Sequence, residues 1–158
     1  MAAINIPGVG ERLGREYVRA FTFGNSSDAE IALDTGLLAT GTSTYALVNI
    51  NEAGVYVKDV QIQVAAKFTT STGTFVIGDS DDIDGFWTDT LFNGAATGAV
   101  FGNMASSVGY AAGRVYTSTH VINLTKADAA ASATSASSLA KAKIRYIRGC
   151  DTDLNANT

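Results

Sequence analysis

The densest group of side chains that could do chemistry is the aspartate-rich segment Gly78–Gly85. Its four carboxylates belong to Asp79, Asp81, Asp82 and Asp84. Carboxylate oxygens crowded on one turn are ligands that Ca²⁺ accepts. An EF-hand loop is excluded, because Ile83 takes the fifth position counted from Asp79 and the required glycine and glutamate are missing. Two interpretations remain open: a looser Ca²⁺ site, and a structural turn built from ordinary turn-forming residues.

Other catalytic constellations find little support in the sequence. His120 is the only histidine, so any Ser-His-Asp triad would depend on it, and no G-x-S-x-G, P-loop or G-x-G-x-x-G motif is present. The single cysteine, Cys150, excludes an internal disulfide framework and a cysteine zinc site. A glycosidase-like carboxylate pair that includes Asp81 or Asp84 is an alternative, because its separation depends on the fold. We predict a protein that is not an enzyme.

Composition limits the class of protein further. The 158 residues suit one domain, and 46% are hydrophobic whereas only 16% are charged, so the chain is expected to fold with a largely neutral surface. A net charge of −4 and a pI near 4.8 argue against a nucleic-acid partner. No apolar run is long enough to span a membrane, and the N-terminus lacks the pattern of a signal peptide.

Alternation of apolar and polar residues predicts strands rather than helices. The period of two is clear in Lys58–Phe68 and Leu139–Arg148, and weaker in Glu16–Phe23, which we expect to be covered on both faces. Shorter strand-like segments, bordered by turn residues, are Ala29–Asp34, Tyr45–Ile50, Val55–Val57, Phe75–Ile77 and Thr119–Leu124. The predicted fold is all-β: an antiparallel, jelly-roll-like β-sandwich with long Gly/Ala/Ser-rich loops.

Connections and boundaries complete this prediction. Asn51–Gly54 is expected to form a tight hairpin with Gly54 at positive φ. Gly85–Gly113 and Lys126–Ser138 are expected to be large surface loops, and the aromatic side chains of the first must pack against something. We divide the chain into an N-terminal arm (residues 1–14), a single sandwich domain (15–150) and a C-terminal tail (151–158).

Basic residues are concentrated near the two ends of the chain. Seven of the eleven are Arg12, Arg15, Arg19, Lys141, Lys143, Arg145 and Arg148. The segment Ala20–Ala140 holds four basic and eleven acidic residues, a net charge of −7. If the first and last strands are neighbours, the basic residues form one face that could dock on an acidic partner. The alternative is that they only protect strand edges from aggregation.

Two segments, Thr74–Phe86 and Lys143–Gly149, resemble stretches of structural proteins of tailed bacteriophages, in particular small capsid decoration, cement and head-fibre proteins. The resemblance implies a virion protein that binds an assembled capsid and stabilises or decorates it. It implies the major capsid protein or other virion subunits as partners, a homo-oligomer with a trimer favoured, synthesis in the host cytoplasm and a final place on the capsid surface. A tail or fibre component is an alternative within the same class.

Two further hypotheses concern surfaces. The arm, Met1–Gly14, could insert between neighbouring subunits by adding a strand to a partner's sheet. From a different functional class, a carbohydrate-binding sandwich would use exposed rings to stack on sugars, and its candidate residues are Trp87, Tyr110 and Tyr116. Exposed coplanar rings would favour that class, whereas buried rings would count against it.

Overall fold

A computed structural model describes residues 3–6, 14–32, 44–66, 75–90, 100–101, 109–126 and 138–149. These residues form strands and connecting turns, and none of them forms a helix that could cross a membrane. The strands in chain order are β1 (Ile4–Ile6), β2 (Glu16–Gly24), β3 (Ile31–Ala32), β4 (Thr44–Ile50), β5 (Val55–Ala66), β6 (Phe75–Gly78), β7 (Trp87–Thr90), β8 (Val100–Phe101), β9 (Arg114–Tyr116), β10 (His120–Lys126) and β11 (Leu139–Ile147).

The strands form two sheets, which confirms the predicted all-β sandwich. Sheet A has the order β1-β4-β10-β6-β7, and sheet B has the order β3-β2-β11-β5-β8, with β9 also paired to β5. Pairing is antiparallel except at two short edge strands, where β1 runs parallel to β4 and β3 runs parallel to β2. Antiparallel pairing leaves each sheet free to bury one face and expose the other.

The centre of sheet B follows directly from the alternation in the sequence. In β11 the alternate residues from Ala140 to Tyr146 are buried, whereas Lys141 and Lys143 between them are exposed. In β5, Val60, Ile62 and Val64 are buried on the same inward side. Because β11 pairs with both β2 and β5, the first and last long strands of the chain are neighbours, as the charge argument required.

One hydrophobic core joins the two sheets. Leu47, Leu124 and Ile77 of sheet A belong to the same buried cluster as Ile62 and Ile144 of sheet B. Burying one such side chain contributes roughly 1.5–3 kcal/mol, so the sandwich is held mainly by this contact.

Trp87, at the edge of sheet A, adds a polar link between the sheets. Its ring is fully buried, and its Nε1–H donates a hydrogen bond to the carbonyl oxygen of Val60 in sheet B at 3.0 Å.

The structure corrects several expectations. Strand β2 is covered on one face only, since Val18 and Ala20 are exposed, and the prediction of two covered faces is wrong. Gly54 does have positive φ, at 78°, but Asn51–Gly54 links β4 of sheet A to β5 of sheet B and is not a hairpin. The expected loop Gly85–Gly113 contains β7 and β8, although Phe86 and Trp87 pack into the core as required.

The expected arm and tail are only partly within the described residues. Residues 4–6 of the arm form β1 and pair with β4 of the same molecule. The tail, 151–158, the residue Arg12 and the interior of the Lys126–Ser138 segment lie outside the described part of the chain. Ser138, at the end of that segment, is fully buried, and its carbonyl oxygen accepts hydrogen bonds from the backbone N–H groups of Asn25 and Ser26.

Candidate functional site: the Asp79 turn and the outer face of sheet B

The aspartate-rich turn connects β6 to β7 and is closed by its own backbone. The N–H of Asp79 and the N–H of Gly85 both donate to the carbonyl oxygen of Asp82, at 2.9 and 3.2 Å. The turn fits tightly against β6, because a Cβ atom at Gly78 would lie 1.9 Å from that same carbonyl oxygen. Only glycine therefore leaves room for the turn at position 78.

Asp79 lies at the centre of the turn and is almost completely buried, with 1% of its surface exposed. Its Oδ1 atom accepts hydrogen bonds from the backbone N–H groups of Asp81 and Asp82, at 3.0 and 3.2 Å. Arg114 of β9 donates from Nη1 to both carboxylate oxygens at 2.9 Å. The buried negative charge is thus paired with a cation, as the cost of burying an ion requires.

Two tyrosines complete the environment of this ion pair. The hydroxyl groups of Tyr110 and Tyr116 donate to Asp79 at 3.0 and 2.8 Å. The guanidinium carbon of Arg114 lies 4.7 Å from the ring centroid of Tyr110 and 4.8 Å from that of Tyr116, a double cation–π contact. Burial, and then the charge of Asp79, raise the pKa of both tyrosines, so both stay protonated as donors.

Asp81 and His120 extend the network to the surface. Asp81 forms an ion pair with Nη2 of Arg114, and its Oδ2 atom lies 3.2 Å from Nε2 of His120. The hydrogen bond from Arg114, followed by that from His120, lowers the pKa of the Asp81 carboxyl group. The His120 ring also packs beside Tyr116, with centroids 5.1 Å apart. His120 therefore helps to attach the turn to β10.

Asp82 and Asp84 have a different environment from Asp79 and Asp81. The side-chain hydrogen bond between them, followed by partial burial and the charge of Asp84, raises the pKa of Asp82. Neither carboxylate forms an ion pair with a cation among the residues that the structure describes. Between them Ile83 is 60% exposed. This part of the turn therefore carries uncompensated negative charge around an exposed apolar side chain.

The arrangement bears on the Ca²⁺ hypothesis in one respect. Asp79 is surrounded by hydrogen-bond donors and by Arg114, so it would have to exchange those partners to become a metal ligand. No group of three or more His, Cys, Asp or Glu side chains converges as metal ligands would in the described ranges. For Asp79 the geometry favours the structural turn, and the Ca²⁺ site expected from Asp79, Asp81, Asp82 and Asp84 stays a prediction.

The basic residues are only partly brought together. Lys141, Lys143 and Arg145 alternate along β11 on the outer face of sheet B. Arg19 pairs in register with the buried Ile144, which places it on the opposite side of the sheet.

Arg15 and Arg148, the other two residues of the predicted basic face that the structure describes, lie just outside β2 and β11. Arg15 lies 6.0 Å from the ring of Tyr17, and Arg148 forms an ion pair with Glu52 in which Nε and Oε1 are 2.8 Å apart. The single basic face predicted from the sequence is therefore split.

The outer face of sheet B carries two lysines, Lys141 and Lys143, with Glu30 as the acidic residue that lies beside them among the described residues. Across the strands, Lys143 lies between Ala20 and Gln61, and Lys141 lies between Thr22 and Gln63. Arg145 is neutralised by an ion pair with Asp59, whereas neither lysine has an ion-pair partner within the described part of the chain. Val18, in register with Arg145, is 56% exposed. Among the described residues, this face therefore combines two lysines that have no ion-pair partner with one exposed valine.

Arg114 was not among the site residues predicted from the sequence, and Tyr116 was predicted to stack on sugars, whereas in the structure it donates a hydrogen bond to Asp79. A sequence signal for Arg114 existed, since it is the only Lys or Arg between Lys67 and Lys126.

The aromatic residues proposed for sugar stacking are mostly buried. Trp87 and Tyr116 are fully buried, and Tyr110 is half-buried with its ring 5.1 Å from that of Phe86. These rings do not form an exposed stacking platform, which counts against the carbohydrate-binding hypothesis.

Three chains in solved phage capsids have a similar fold. A chain in the capsid of Ralstonia phage GP4 is 14% identical with a TM-score of 0.62, covering 95% of this chain and 100% of that chain. A chain of the cyanophage Pam1 capsid asymmetric unit is 16% identical with a TM-score of 0.54, covering 94% of both chains. A chain in the acidic stable capsid of Helicobacter pylori bacteriophage KHP30 is 16% identical with a TM-score of 0.53, covering 84% of this chain and 86% of that chain.

At these identities the similarity concerns the fold. No protein-family model matches the sequence, and the search of curated proteins finds no match. The resemblance to structural proteins of phage particles is confirmed in the sense that solved chains with this fold belong to phage capsid structures.

Proposed function

We propose that this chain is a non-enzymatic structural subunit of a bacteriophage particle, which binds the assembled capsid and stabilises or decorates it. The observation that carries the proposal is the similarity of fold to chains in three phage capsid structures. The matches cover 84% to 95% of this chain and 86% to 100% of those chains. The likeness therefore concerns the whole domain and is not limited to a shared supersecondary motif.

The chemistry of the aspartate turn supports a structural role. Asp81 was a candidate for a glycosidase-like carboxylate pair, but Arg114 and His120 donate to its carboxyl group and lower its pKa, which is the opposite of the shift that a general acid needs. Asp79 is buried beneath them, and Tyr110 and Arg114 donate hydrogen bonds to its carboxylate. Asp79 and Asp81 thus join the turn after β6 to Tyr110 and Arg114, at and just before the start of β9. A rigid connection of this kind suits a structural protein.

The partners in this proposal are the major capsid protein or other virion subunits. We place the chain on the outer capsid surface after synthesis in the host cytoplasm, and we favour a homo-oligomer, in particular a trimer. A tail or fibre subunit is the competing assignment within the same class, and the position of the chain in the particle distinguishes the two.

The experiment is deletion of the gene from its phage, followed by cryo-electron microscopy and heating of the purified particles. We expect the deletion particles to lose a discrete feature of capsid density and to release DNA at a lower temperature. Adding the purified wild-type chain should restore both properties. Loss of tail or fibre density would support the competing assignment, and particles from which the chain is absent even in the wild type would overturn the proposal.

A further inference from the structure

Two surfaces of the molecule are complementary in charge and in apolar character. The lysine face consists of Lys141, Lys143, Val18 and Ala20 on the outer side of sheet B. The acidic tip consists of Asp82, Ile83 and Asp84 in the turn after β6. The lysine face belongs to sheet B, whereas the acidic tip belongs to a connection of sheet A.

The lysine face has positive charge that its own sheet does not neutralise. Lys141 and Lys143 occupy alternate positions of β11, so their side chains leave the same side of the sheet about 7 Å apart. The residues across from Lys143 are Ala20 and Gln61, neither of which carries charge. Glu30 lies beside both lysines, but its Oε2 atom accepts a hydrogen bond from the N–H of Thr22, and it forms no ion pair with either lysine within the described part of the chain. The nearest acid on β5, Asp59, is already bound to Arg145. Two neighbouring lysines without an ion-pair partner favour the binding of an anionic surface.

The acidic tip is the matching surface. Asp82 and Asp84 are half-buried and have no cation partner among the described residues, and the hydrogen bond between their side chains, followed by partial burial and the charge of Asp84, raises the pKa of Asp82. Bringing positive charge to the tip would therefore relieve a repulsion that already exists in the free molecule.

Exposed apolar side chains mark the same two places. The large hydrophobic side chains that are exposed in the described part of the chain are Val18, Ile83 and Val121. Val18 belongs to the lysine face and Ile83 to the acidic tip, at 56% and 60% exposure. Each surface therefore combines one exposed aliphatic side chain with two charges of one sign, and the sign is opposite on the two surfaces.

We propose that the acidic tip of one copy docks on the lysine face of a second copy. Asp82 and Asp84 pair with Lys141 and Lys143, and Ile83 packs against Val18 beside them. Because the contact joins two different surfaces, one copy of a pair still has an unoccupied acidic tip and the other an unoccupied lysine face. Further copies can therefore add head to tail, and they form a closed ring if the rotation between neighbouring copies permits. The inference goes beyond the proposed function, because it concerns the free protein in solution.

The strength of the contact follows from its composition. Exposed ion pairs contribute roughly 0.2–1 kcal/mol each and are screened by salt. The association should therefore be weak and depend strongly on ionic strength. It should also be directional, since neither two tips nor two lysine faces attract each other.

Sedimentation velocity of the full chain tests the contact through charge reversal. The face variant is Lys141→Glu with Lys143→Glu, and the tip variant is Asp82→Lys with Asp84→Lys. We expect wild type to associate in about 50 mM salt, and about 500 mM salt or either variant to weaken association at least about tenfold. A mixture of the two variants should associate again, because the intact tip of one meets the intact face of the other.

Three controls keep the test decisive. Arg15→Glu reverses an exposed cation outside the lysine face and should leave association unchanged. Ile83→Ser retains both carboxylates of the tip and should still weaken association, and near-ultraviolet circular dichroism of each variant reports whether the fold is intact. A wild type that stays monomeric at about 1 mM protein in low salt overturns the proposal, as does a folded pair of variants that does not associate on mixing. A monomeric protein that is nevertheless found on the capsid would leave the proposed function standing.

Discussion

The Nη1 atom of Arg114 lies 2.9 Å from each carboxylate oxygen of Asp79, although the two residues are 35 positions apart in the sequence. Asp79 begins the connection that follows β6, and Arg114 begins β9, so the ion pair fastens a loop of sheet A to an edge strand of sheet B. A buried pair of this kind is costly to break from one side, because the remaining charge then lacks a partner.

Replacing Asp79 by alanine should therefore be strongly destabilising. Asp79→Ala leaves Arg114 and the hydroxyl groups of Tyr110 and Tyr116 without their acceptor, and we expect the free energy of unfolding to fall by about 3 kcal/mol. Urea denaturation followed by circular dichroism measures the change. Ser80→Ala, at the exposed neighbouring position, is the matched control and should change stability little. An Asp79→Ala protein as stable as the control would show that the ion pair has no structural role.

The two tyrosine hydroxyl groups that donate to Asp79 should differ in importance. Tyr116 is fully buried, whereas Tyr110 is half-buried and water can replace part of its contact. We expect Tyr116→Phe to lower the free energy of unfolding by about 1–2 kcal/mol and Tyr110→Phe to lower it by less. Urea midpoints of the two variants, measured side by side, check this order. The reverse order would contradict the assigned hydrogen bonds.

Asp81 and Asp82 should respond to pH in opposite directions. The pKa of Asp81 is below 3.8 in the folded protein, so its ion pairs add stability above pH 3.8 that is lost as the pH falls through the folded pKa. The pKa of Asp82 is above 3.8, so its ionised form lowers stability at neutral pH, and this cost disappears as the pH falls towards 3.8.

At neutral pH we therefore expect Asp82→Asn to raise the free energy of unfolding by a few tenths of a kcal/mol and Asp81→Asn to lower it. Urea denaturation of dilute protein at pH 7 and at pH 3 measures both effects. The difference between Asp82→Asn and wild type should shrink at the lower pH. A stability gain from Asp81→Asn at pH 7 would contradict the ion pairs with Arg114 and His120.

Gly78 should tolerate no side chain. An alanine Cβ there would meet the Asp82 carbonyl oxygen, which is part of the backbone and cannot move without opening the turn. We expect Gly78→Ala to cost about 2–3 kcal/mol. Gly14→Ala is the comparison, because a Cβ at Gly14 would find open space and only its φ of 73° is unfavourable, which costs about 1 kcal/mol. Thermal denaturation of both variants gives the difference.

Trp87 should contribute both packing and a hydrogen bond between the sheets. Trp87→Phe removes the donor to Val60 and leaves a cavity in the core, so we expect a loss of about 2–3 kcal/mol. Val121→Ala, which shortens an exposed side chain, serves as the control and should be nearly neutral. Urea denaturation followed by far-ultraviolet circular dichroism compares them. Equal stability of the two variants would show that Trp87 does not link the sheets.

The elements predicted best from the sequence are those whose signal is local. Alternation in β5 and β11 indicates which side chains face the core, because both strands bury one face against the other sheet. The alternation in β2 led to a wrong prediction of two buried faces, since Val18 is apolar but is 56% exposed among the residues that the structure describes. A local pattern reports the type of side chain at each position, and the presence of a neighbour depends on the rest of the fold.

Non-local pairing explains what could not be predicted. The turn chemistry of Asn51–Gly54 indicated positive φ at Gly54, but it carries no information about which sheet receives the next strand. Asp79 was recognised as part of an acidic cluster, yet its partner Tyr116 is 37 positions away and no spacing rule connects them. Likewise, the sequence argument about the basic face only supposed that the first and last strands are neighbours, and the side of the sheet that Arg19 faces depends on register.

The position of β11 between β2 and β5 also constrains how the chain is made. Asn25, just after β2, and Ser138, just before β11, are hydrogen-bonded across 113 positions of sequence. A ribosome adding roughly 5–20 residues per second takes about 6–23 s to synthesise that interval. During this time the edges of β2 and β5 have no central strand to pair with. The edges of β2 and β5 that face β11 therefore stay unpaired until β11 has been synthesised, and unpaired strand edges of this kind are prone to aggregation.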